Sequence, residues 1–311
     1  MNDRIAQKTA IVTGANGFVG HHLVRLLLKY EYKIYAIIRN EKEDISNICA
    51  LENVEIIYCD MEEVNHLPEK IKDRNIEYVY HLAWAGSSGD QRMNYELQLK
   101  NALWTCRLIE VLSLMNVKRM IVSGSVTQLM YRDYLTEDNI KPEMVTCYAI
   151  GKISTEYLCK CLCTKYNIDL CWAYISNFYG ADDPTNNFIN FLVKNYKSGI
   201  VPTLTPADQL ADFAYVTDIA KGLMYACEKG KSNTSYYIGY GNPRPLKEFI
   251  RAVRDIVNPQ IESGIGKKNF NGMNVDFSKI DVEKLARDTG YRADISFEEI
   301  YFKGKVKKRK G

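Results

Sequence analysis

The chain has 311 residues, 46% hydrophobic and 25% charged, which is close to globular averages and argues against disordered and fibrous proteins. Its formal net charge is +3, but the segment KGKVKKRKG at 303–311 carries six positive charges and no acid, and the remaining residues sum to −3. We therefore expect a solvated basic tail and no nucleic-acid-binding surface elsewhere.

The N-terminus reads MNDRIAQKTAIV and lacks the layout of a secretory signal, while no run approaches the roughly 18 apolar residues that a membrane span needs. Nine cysteines at irregular spacings do not form the even-numbered disulfide framework of small secreted proteins. The cluster CKCLC at 159–163 has no second Cys or His pair at zinc-site spacing. We expect a cytoplasmic protein with no membrane partner and no metal.

Short β-branched runs alternate with amphipathic helical stretches over the first 175 residues. This alternation predicts successive right-handed βαβ units, and so an α/β fold with a doubly wound parallel sheet covered by helices on both faces. The predicted strands are 9–13, 33–38, 54–58, 78–83, 118–123 and 170–175.

The alternation weakens after residue 176, where proline and glycine recur. We predict a smaller mixed lobe there, with helices at 186–198, 245–257 and 279–289. The expected domains are a cofactor-binding domain over 1–176, to which about 208–235 return, a mainly substrate-binding lobe over 177–302, and the tail at 303–311.

The segment TGANGFVG at 13–20 lies between the first predicted strand and a helical pattern. Gly14 permits the tight turn, Gly17 lets a pyrophosphate approach the backbone, and Gly20 lets helix and strand pack closely. The helix N-terminus then presents free N–H groups to the phosphates. This context predicts a dinucleotide site, which the other loop residues line: Asn16, Phe18 and Val19.

Further cofactor contacts are expected at the ends of the next strands. Arg39 stands where an acid would bind the ribose of NAD, and a cation there favours the 2′-phosphate of NADP, although a surface arginine is the alternative. Asp60 is a candidate for the adenine amino group or for a helix cap, with Met61 beside it. Leu82 and Ala83 end the predicted fourth strand and complete the predicted cofactor site.

The segment YAIGK at 148–152 places a tyrosine four residues before a lysine, so that both side chains share one helix face. Tyrosine has an ordinary pKa of about 10, and a neighbouring ammonium lowers that pKa toward neutrality, as a catalytic acid/base requires. The same spacing occurs at Tyr225/Lys229 and Tyr301/Lys305. Spacing alone therefore does not identify the functional pair.

Together with the glycine loop, four further segments make residues 8–290 resemble the extended short-chain dehydrogenase/reductases, and particularly their nucleotide-sugar epimerase, dehydratase and reductase group. These are HLAW at 81–84, Ser125 with YAIGK, NFYG at 177–180, and ADFAYVTD at 211–218. The resemblance implies a Rossmann-like fold, a cofactor that is NADP or NAD, and a nucleotide-sugar substrate. It also implies a homodimer that forms through helices spanning about 94–115 and 148–166.

The resemblance implies a catalytic triad of Ser125, Tyr148 and Lys152, in which Lys152 also holds the cofactor ribose. The residues expected at the substrate are Trp84, Ser125, Thr127, Tyr148 and Asn177.

The chain also departs from that group. Dehydratases place an Asp-Glu pair where this chain has Val126 and Thr127, and 3,5-epimerising reductases place a cysteine at the latter position, so both reactions are disfavoured. The arginines that usually grip the diphosphate are replaced by Ala211 and Tyr174. Lys194, Lys267 and Lys268 are candidate replacements, unless the substrate is not an ordinary nucleotide sugar.

The leading hypothesis is an NADP(H)-dependent reductase of a keto group, at C4, on an activated sugar. A nucleotide-sugar 4-epimerase with tightly held NAD uses the same triad and is the first alternative. A reductase of a non-nucleotide carbonyl compound draws support from Ala211. A cofactor-sensing protein without catalysis is the alternative from another class, and it would not need to retain the triad.

Overall fold

The computed structural model describes residues 7–138, 142–270 and 272–299. The basic tail and the pair Tyr301/Lys305 lie outside the described residues. Within these ranges, no helix combines the length and apolar character needed to cross a bilayer.

The strands are β1 Thr9–Thr13, β2 Lys33–Ile38, β3 Val54–Tyr58, β4 Tyr78–His81, β5 Arg119–Ser123, β6 Asp169–Ile175, β7 Asn177–Tyr179, β8 Leu210–Ala211, β9 Phe213–Tyr215, β10 Thr234–Ile238 and β11 Arg244–Pro245. The α-helices are α1 Phe18–Lys29, α2 Leu67–Lys70, α3 Tyr95–Ser113, α4 Val126–Tyr134, α5 Thr146–Tyr166, α6 Phe188–Lys197, α7 Val216–Lys229, α8 Leu246–Val257 and α9 Lys284–Thr289. Short 3₁₀ helices span Met61–His66, Gly89–Met93 and Phe277–Lys279.

Seven parallel strands form the central sheet in the order β10-β6-β5-β4-β1-β2-β3. The order reverses beside β1, which pairs with β2 on one side and β4 on the other. A crevice opens at such a reversal, beyond the carboxyl ends of the strands, and ligands bind there in doubly wound folds. The predicted Rossmann-like α/β fold is confirmed.

Hydrophobic cores lie on both faces of the sheet because successive side chains of each strand point to opposite sides. In β1, Ala10 and Val12 pack on the face covered by α1 and α7, whereas Ile11 packs on the face covered by α3 and α5. The central strands are therefore apolar in nearly every position, as a sheet buried on both faces requires.

A third core holds the smaller lobe together. Leu192 and Tyr196 of α6 pack with Phe249 and Val253 of α8, and Phe213 of β9 joins them. Two short ladders, β7 with β9 and β8 with β11, lie in this part of the chain. Helix α7 and strand β10 also follow residue 176 in the sequence. They nevertheless belong to the main sheet, since α7 packs against it and β10 forms its edge.

Two of the differences between the predicted and observed elements have a clear structural cause. The fourth strand ends at His81 rather than at residue 83, because the Ala83 N–H donates to the Thr13 hydroxyl at 3.2 Å instead of continuing the ladder. The helix predicted at 279–289 is interrupted, since Ile280 has extended backbone angles and α9 begins at Lys284.

Candidate active site

The glycine loop connects β1 to α1 at the carboxyl edge of the sheet. Gly14 has a φ of +66°, and a Cβ there would lie 3.0 Å from the backbone nitrogen of Ala83. A Cβ on Gly20 would lie 2.1 Å from the carbonyl oxygen of Gly14. Gly17 is the N-cap of α1 and supplies no side-chain acceptor, so the first N–H groups of the helix remain available to a pyrophosphate. This loop fits a dinucleotide.

The other predicted loop residues fix the loop to its surroundings. Asn16 donates from Nδ2 to the carbonyl of Asp44 at 3.1 Å. Phe18 stacks on Phe178, with 6.0 Å between ring centroids, and so joins the loop to β7. Val19 packs against the core on the α1 side of the sheet.

The remaining predicted cofactor residues lie at the ends of neighbouring strands. Exposed Arg39 follows β2, and its Nε lies 3.3 Å from a carboxylate oxygen of Glu43. Asp60 follows β3 and caps a 3₁₀ helix by accepting from the Glu62 N–H at 2.9 Å.

Met61 begins that 3₁₀ helix and packs against the core on the α3 and α5 face of the sheet. The Leu82 and Ala83 N–H groups both donate to the Thr13 hydroxyl at 3.2 Å, which places them beside the glycine loop.

Ser125 and Tyr148 meet at the start of two helices. Ser125 is the N-cap of α4, and Tyr148 lies in the first turn of α5. Burial raises the pKa of the Tyr148 phenol, while the nearby Ser125 hydroxyl and the positive charge of Arg92 oppose that rise. The structure thus brings together the hydroxyl groups of the predicted triad.

Lys152 lies one turn after Tyr148 and is 2% exposed. Its Nζ donates to the carbonyl of Ser123 at 2.5 Å and lies 3.6 Å from the centroid of the Trp84 ring. Burial lowers the pKa of this amine to about 7. Trp84 is oriented by a bond from Nε1 to Gln98 at 2.8 Å, and its ring meets that of Tyr148 edge-on at 6.3 Å.

Arg92 is a site residue that the sequence did not reveal. It lies on the 3₁₀ helix Gly89–Met93, and its guanidinium carbon is 4.4 Å from the centroid of the Tyr148 ring. Its Nη2 donates to Thr127 Oγ1 at 3.3 Å. No spacing rule distinguishes an arginine in a polar loop, so the fold was needed to find it.

A buried polar network holds the backbone of Ser125 in position. Gln128 forms a capping box with Ser125 and accepts from the Ser125 N–H at 2.9 Å and from Trp172 Nε1 at 3.2 Å. Its own Nε2 donates to Glu156 at 3.2 Å. Glu156 also accepts from Tyr174, which explains why this tyrosine is not available to a substrate.

Toward the smaller lobe, Asn177 is exposed at the start of β7. Ala211 on β8 lies opposite Arg244 on β11. An arginine is therefore present beside the position where alanine replaces the expected arginine. Arg244 binds Glu298 and lies 4.2 Å over the ring of Phe249.

Of the three lysines suggested as replacements, Lys194 and Lys268 are exposed, and Lys267 pairs with Glu262 at 3.0 Å.

The second Tyr/Lys pair lies elsewhere. Lys229 Nζ is 4.6 Å over the ring of Tyr225, and that ring packs on Tyr291 at 5.1 Å. This pair belongs to α7 and packs at its surface rather than beside Ser125.

A family model and several known proteins resemble this chain. The model of the NAD dependent epimerase/dehydratase family matches residues 10–239. CDP-abequose synthase of Salmonella typhimurium is 25% identical over 259 residues, which cover 80% of this chain and 81% of that protein.

Two solved structures share the fold. UDP-glucose 4-epimerase (TM0509) of Thermotoga maritima, determined with UDP-glucose, superposes with a TM-score of 0.76 at 22% identity and covers 96% of this chain and 99% of its own. The Bordetella bronchiseptica enzyme WbmF in complex with NADH gives a TM-score of 0.75 at 21% identity, with 96% and 90% covered.

Proposed function

The chain belongs to the NAD-dependent epimerase/dehydratase family, as an enzyme of the extended short-chain dehydrogenase/reductase type, and from that premise we propose that it reduces a keto group of a nucleotide-activated sugar. The proposed position is C4, and the proposed reductant is NADPH. The observation that carries the proposal is the burial of Tyr148 and Lys152 on one face of α5, with the Ser125 hydroxyl near enough to Tyr148 to oppose the rise in its pKa. Val126 and Thr127 supply no acid for water elimination, which favours reduction over dehydration.

In the proposed reaction, the bound dinucleotide supplies a hydride to the carbonyl carbon. Tyr148 donates its phenolic proton to the oxygen that becomes an alkoxide, and Ser125 donates a hydrogen bond to the same oxygen. Lys152 would hold the ribose of the dinucleotide, and its charge there would lower the pKa of Tyr148 in addition to the effect of Arg92. We expect Asn177 and Trp84 to contact the sugar.

The choice of NADPH rests on Arg39. An exposed guanidinium directly after β2 suits a 2′-phosphate, and the phosphate would compete with Glu43 for it. Titration of the protein with NADPH and NADH tests this choice. We expect Arg39→Gln to weaken NADPH binding and to leave NADH binding nearly unchanged.

Arg244 supports a nucleotide-sugar substrate. Its strand position opposite Ala211 would bring a cation near the diphosphate, in place of the arginine absent at 211. Glu298 must then release the guanidinium when the substrate binds.

A 4-epimerase is the second candidate, favoured by the similarity to the Thermotoga maritima epimerase along 99% of that chain. An epimerase oxidises and then reduces the same carbon, so it retains its dinucleotide and consumes none.

The test is to denature the purified protein, identify any released dinucleotide, and then supply 4-keto and 4-hydroxy sugar nucleotides with NADPH or NADH. Net oxidation of NADPH by a 4-keto sugar supports the reductase. Released NAD together with interconversion of 4-hydroxy sugars, without net NADPH oxidation, supports the epimerase. Turnover of neither class contradicts both.

A further inference from the structure

Arg92 places a positive charge beside Tyr148, the proposed proton donor. Its guanidinium lies 4.4 Å from the centroid of the Tyr148 ring and donates to Thr127 at 3.3 Å. The residue therefore contacts both the proposed proton donor and a residue expected at the substrate. A ligand bound beside Tyr148 would therefore interact with the charge of Arg92.

The protein provides little to balance this charge. Among the described residues, no carboxylate oxygen lies within 4.0 Å of the Arg92 guanidinium, and its buried Nε has no hydrogen-bond acceptor. Asp90 and Glu96, the acids nearest in sequence, are both exposed. Partly buried cations in proteins are generally paired with an anion, because an unpaired charge loses hydration without compensation.

We propose that Arg92 and the hydroxyl of Thr127 bind an anionic group carried by the sugar itself, a carboxylate on the carbon next to the reacting one. This inference rests on the proposed function and narrows its substrate to nucleotide sugars of the uronic-acid type. Thr127 Oγ1 accepts from Arg92 and keeps its own proton to donate to the carboxylate. The guanidinium offers the fork of N–H groups that binds a carboxylate in preference to a neutral hydroxymethyl group.

The alternative anion is the diphosphate, and its distance from the reacting carbon argues against it. A carboxylate at C6 stands two bonds from C4, whereas the first phosphorus stands five bonds away through the ring oxygen and the anomeric carbon. A cation that touches the ring of Tyr148 is therefore placed for the carboxylate, while Arg244 lies with the smaller lobe.

The two side chains after Ser125 are compatible with an anionic group on the substrate. Val126 and Thr127 occupy the two positions after Ser125, and neither would repel a carboxylate as an acidic pair would.

Calorimetric titration of the protein with its bound dinucleotide tests the proposal without requiring turnover. Several nucleoside diphosphates are first compared, and the one that raises the melting temperature of the protein most identifies the base to use. The glucuronic acid and glucose conjugates of that base are then compared with the free nucleoside diphosphate. We expect the glucuronic acid conjugate to bind at least about 10-fold more tightly than the glucose conjugate, as one charge-assisted pair implies.

Variants distinguish the carboxylate from the diphosphate. Arg92→Gln should weaken the glucuronic acid conjugate roughly 10- to 100-fold and change the glucose conjugate and the free diphosphate less than about 3-fold. The affinity of Arg92→Lys for the glucuronic acid conjugate should lie between those of the unmodified protein and Arg92→Gln, since lysine retains the charge but lacks the paired N–H donors of the guanidinium. Arg251→Gln is the matched control, since it removes an exposed arginine from α8. Melting temperature and dinucleotide affinity verify that each variant is folded.

Equal weakening of all three ligands by Arg92→Gln would assign the arginine to the diphosphate and overturn the proposal. Equal affinity of the unmodified protein for the two sugar conjugates would also overturn it, even if Arg92→Gln did not fold. Failure of the proposed reductase activity appears separately, as absence of hydride transfer from a protein that still prefers the carboxylated sugar.

Discussion

Lys152 places an amine in the protein interior, between the carbonyl of Ser123 and the ring of Trp84. Burial disfavours the charged form and lowers its pKa from 10.5 to about 7, so at neutral pH the amine is near half protonation before a cofactor binds. We expect the ¹³Cε resonance of Lys152, assigned by its absence in Lys152→Met, to titrate near pH 7. Titration of that resonance near 10.5 would contradict the burial of the amine.

The same shift gives a dependence of stability on pH. Between about pH 7 and 10.5 the unfolded chain binds a proton at Lys152 that the folded protein does not, so this residue makes the free energy of unfolding rise with pH over this window. Buried cysteines such as Cys159 and Cys227, whose pKa values are raised, have the opposite effect. The free energy of unfolding of the unmodified protein minus that of Lys152→Met should therefore rise with pH, whereas the same difference for the exposed control Lys72→Met should stay constant. Chemical denaturation at several pH values measures the difference.

Gln128 links the start of α4 to β6 and α5 beside it. It is 1% exposed and exchanges hydrogen bonds with Ser125, Trp172 and Glu156. Gln128→Ala would leave buried polar groups unsatisfied and remove half of the capping box. We expect a loss of roughly 2–4 kcal/mol in the free energy of unfolding, with a lower kcat because Ser125 is less well held.

Urea denaturation measures this loss, with the exposed Gln260→Ala as the control. A change within about 0.5 kcal/mol for Gln128→Ala, the range of ordinary surface substitutions, would show that the network does not stabilise the site.

Helices α3 and α5 present apolar side chains to solvent. On α3, Tyr95, Leu99 and Leu103 recur at four-residue spacing and are 57%, 56% and 48% exposed. On α5, Tyr157 and Leu158 are 56% and 47% exposed. Exposed apolar side chains on two helices that pack against each other are typical of a protein interface, which favours the predicted homodimer through these two helices.

We expect sedimentation to show a dimer for the unmodified protein and a monomer for the double variant Leu99→Glu/Leu103→Glu. Ile200→Glu, which changes a residue 54% exposed outside these helices, should remain a dimer. A dimer that survives the double substitution would place the interface elsewhere.

For the whole molecule, the sequence predicted the doubly wound sheet because the strands are apolar runs bounded by turn residues. The observed β1, β2 and β3 have the predicted bounds 9–13, 33–38 and 54–58. The glycine loop was recognisable because its geometry depends on backbone conformation: Gly14 needs a positive φ and Gly20 a close approach that a Cβ would prevent.

Other features depend on contacts between distant segments, and these the sequence could not predict. Arg92 reaches Tyr148 across a loop without regular spacing. The pairing of Ala211 with Arg244 follows from the register of β8 and β11. The lowered pKa of Lys152 arises from burial by the assembled fold rather than from the YAIGK motif itself.

In the proposed reaction, Tyr148 protonates a sugar oxygen while a hydride arrives at the attached carbon. The most direct measurement supplies NADPH deuterated at the transferred position together with UDP-, CDP-, dTDP- and GDP-linked 4-keto sugars, and detects deuterium at C4 by mass spectrometry. We predict incorporation by the unmodified protein, slowed about 10²- to 10⁴-fold in Tyr148→Phe at unchanged NADPH affinity. Absence of deuterium at C4 with every substrate, or an undiminished rate in Tyr148→Phe, would contradict this proposal.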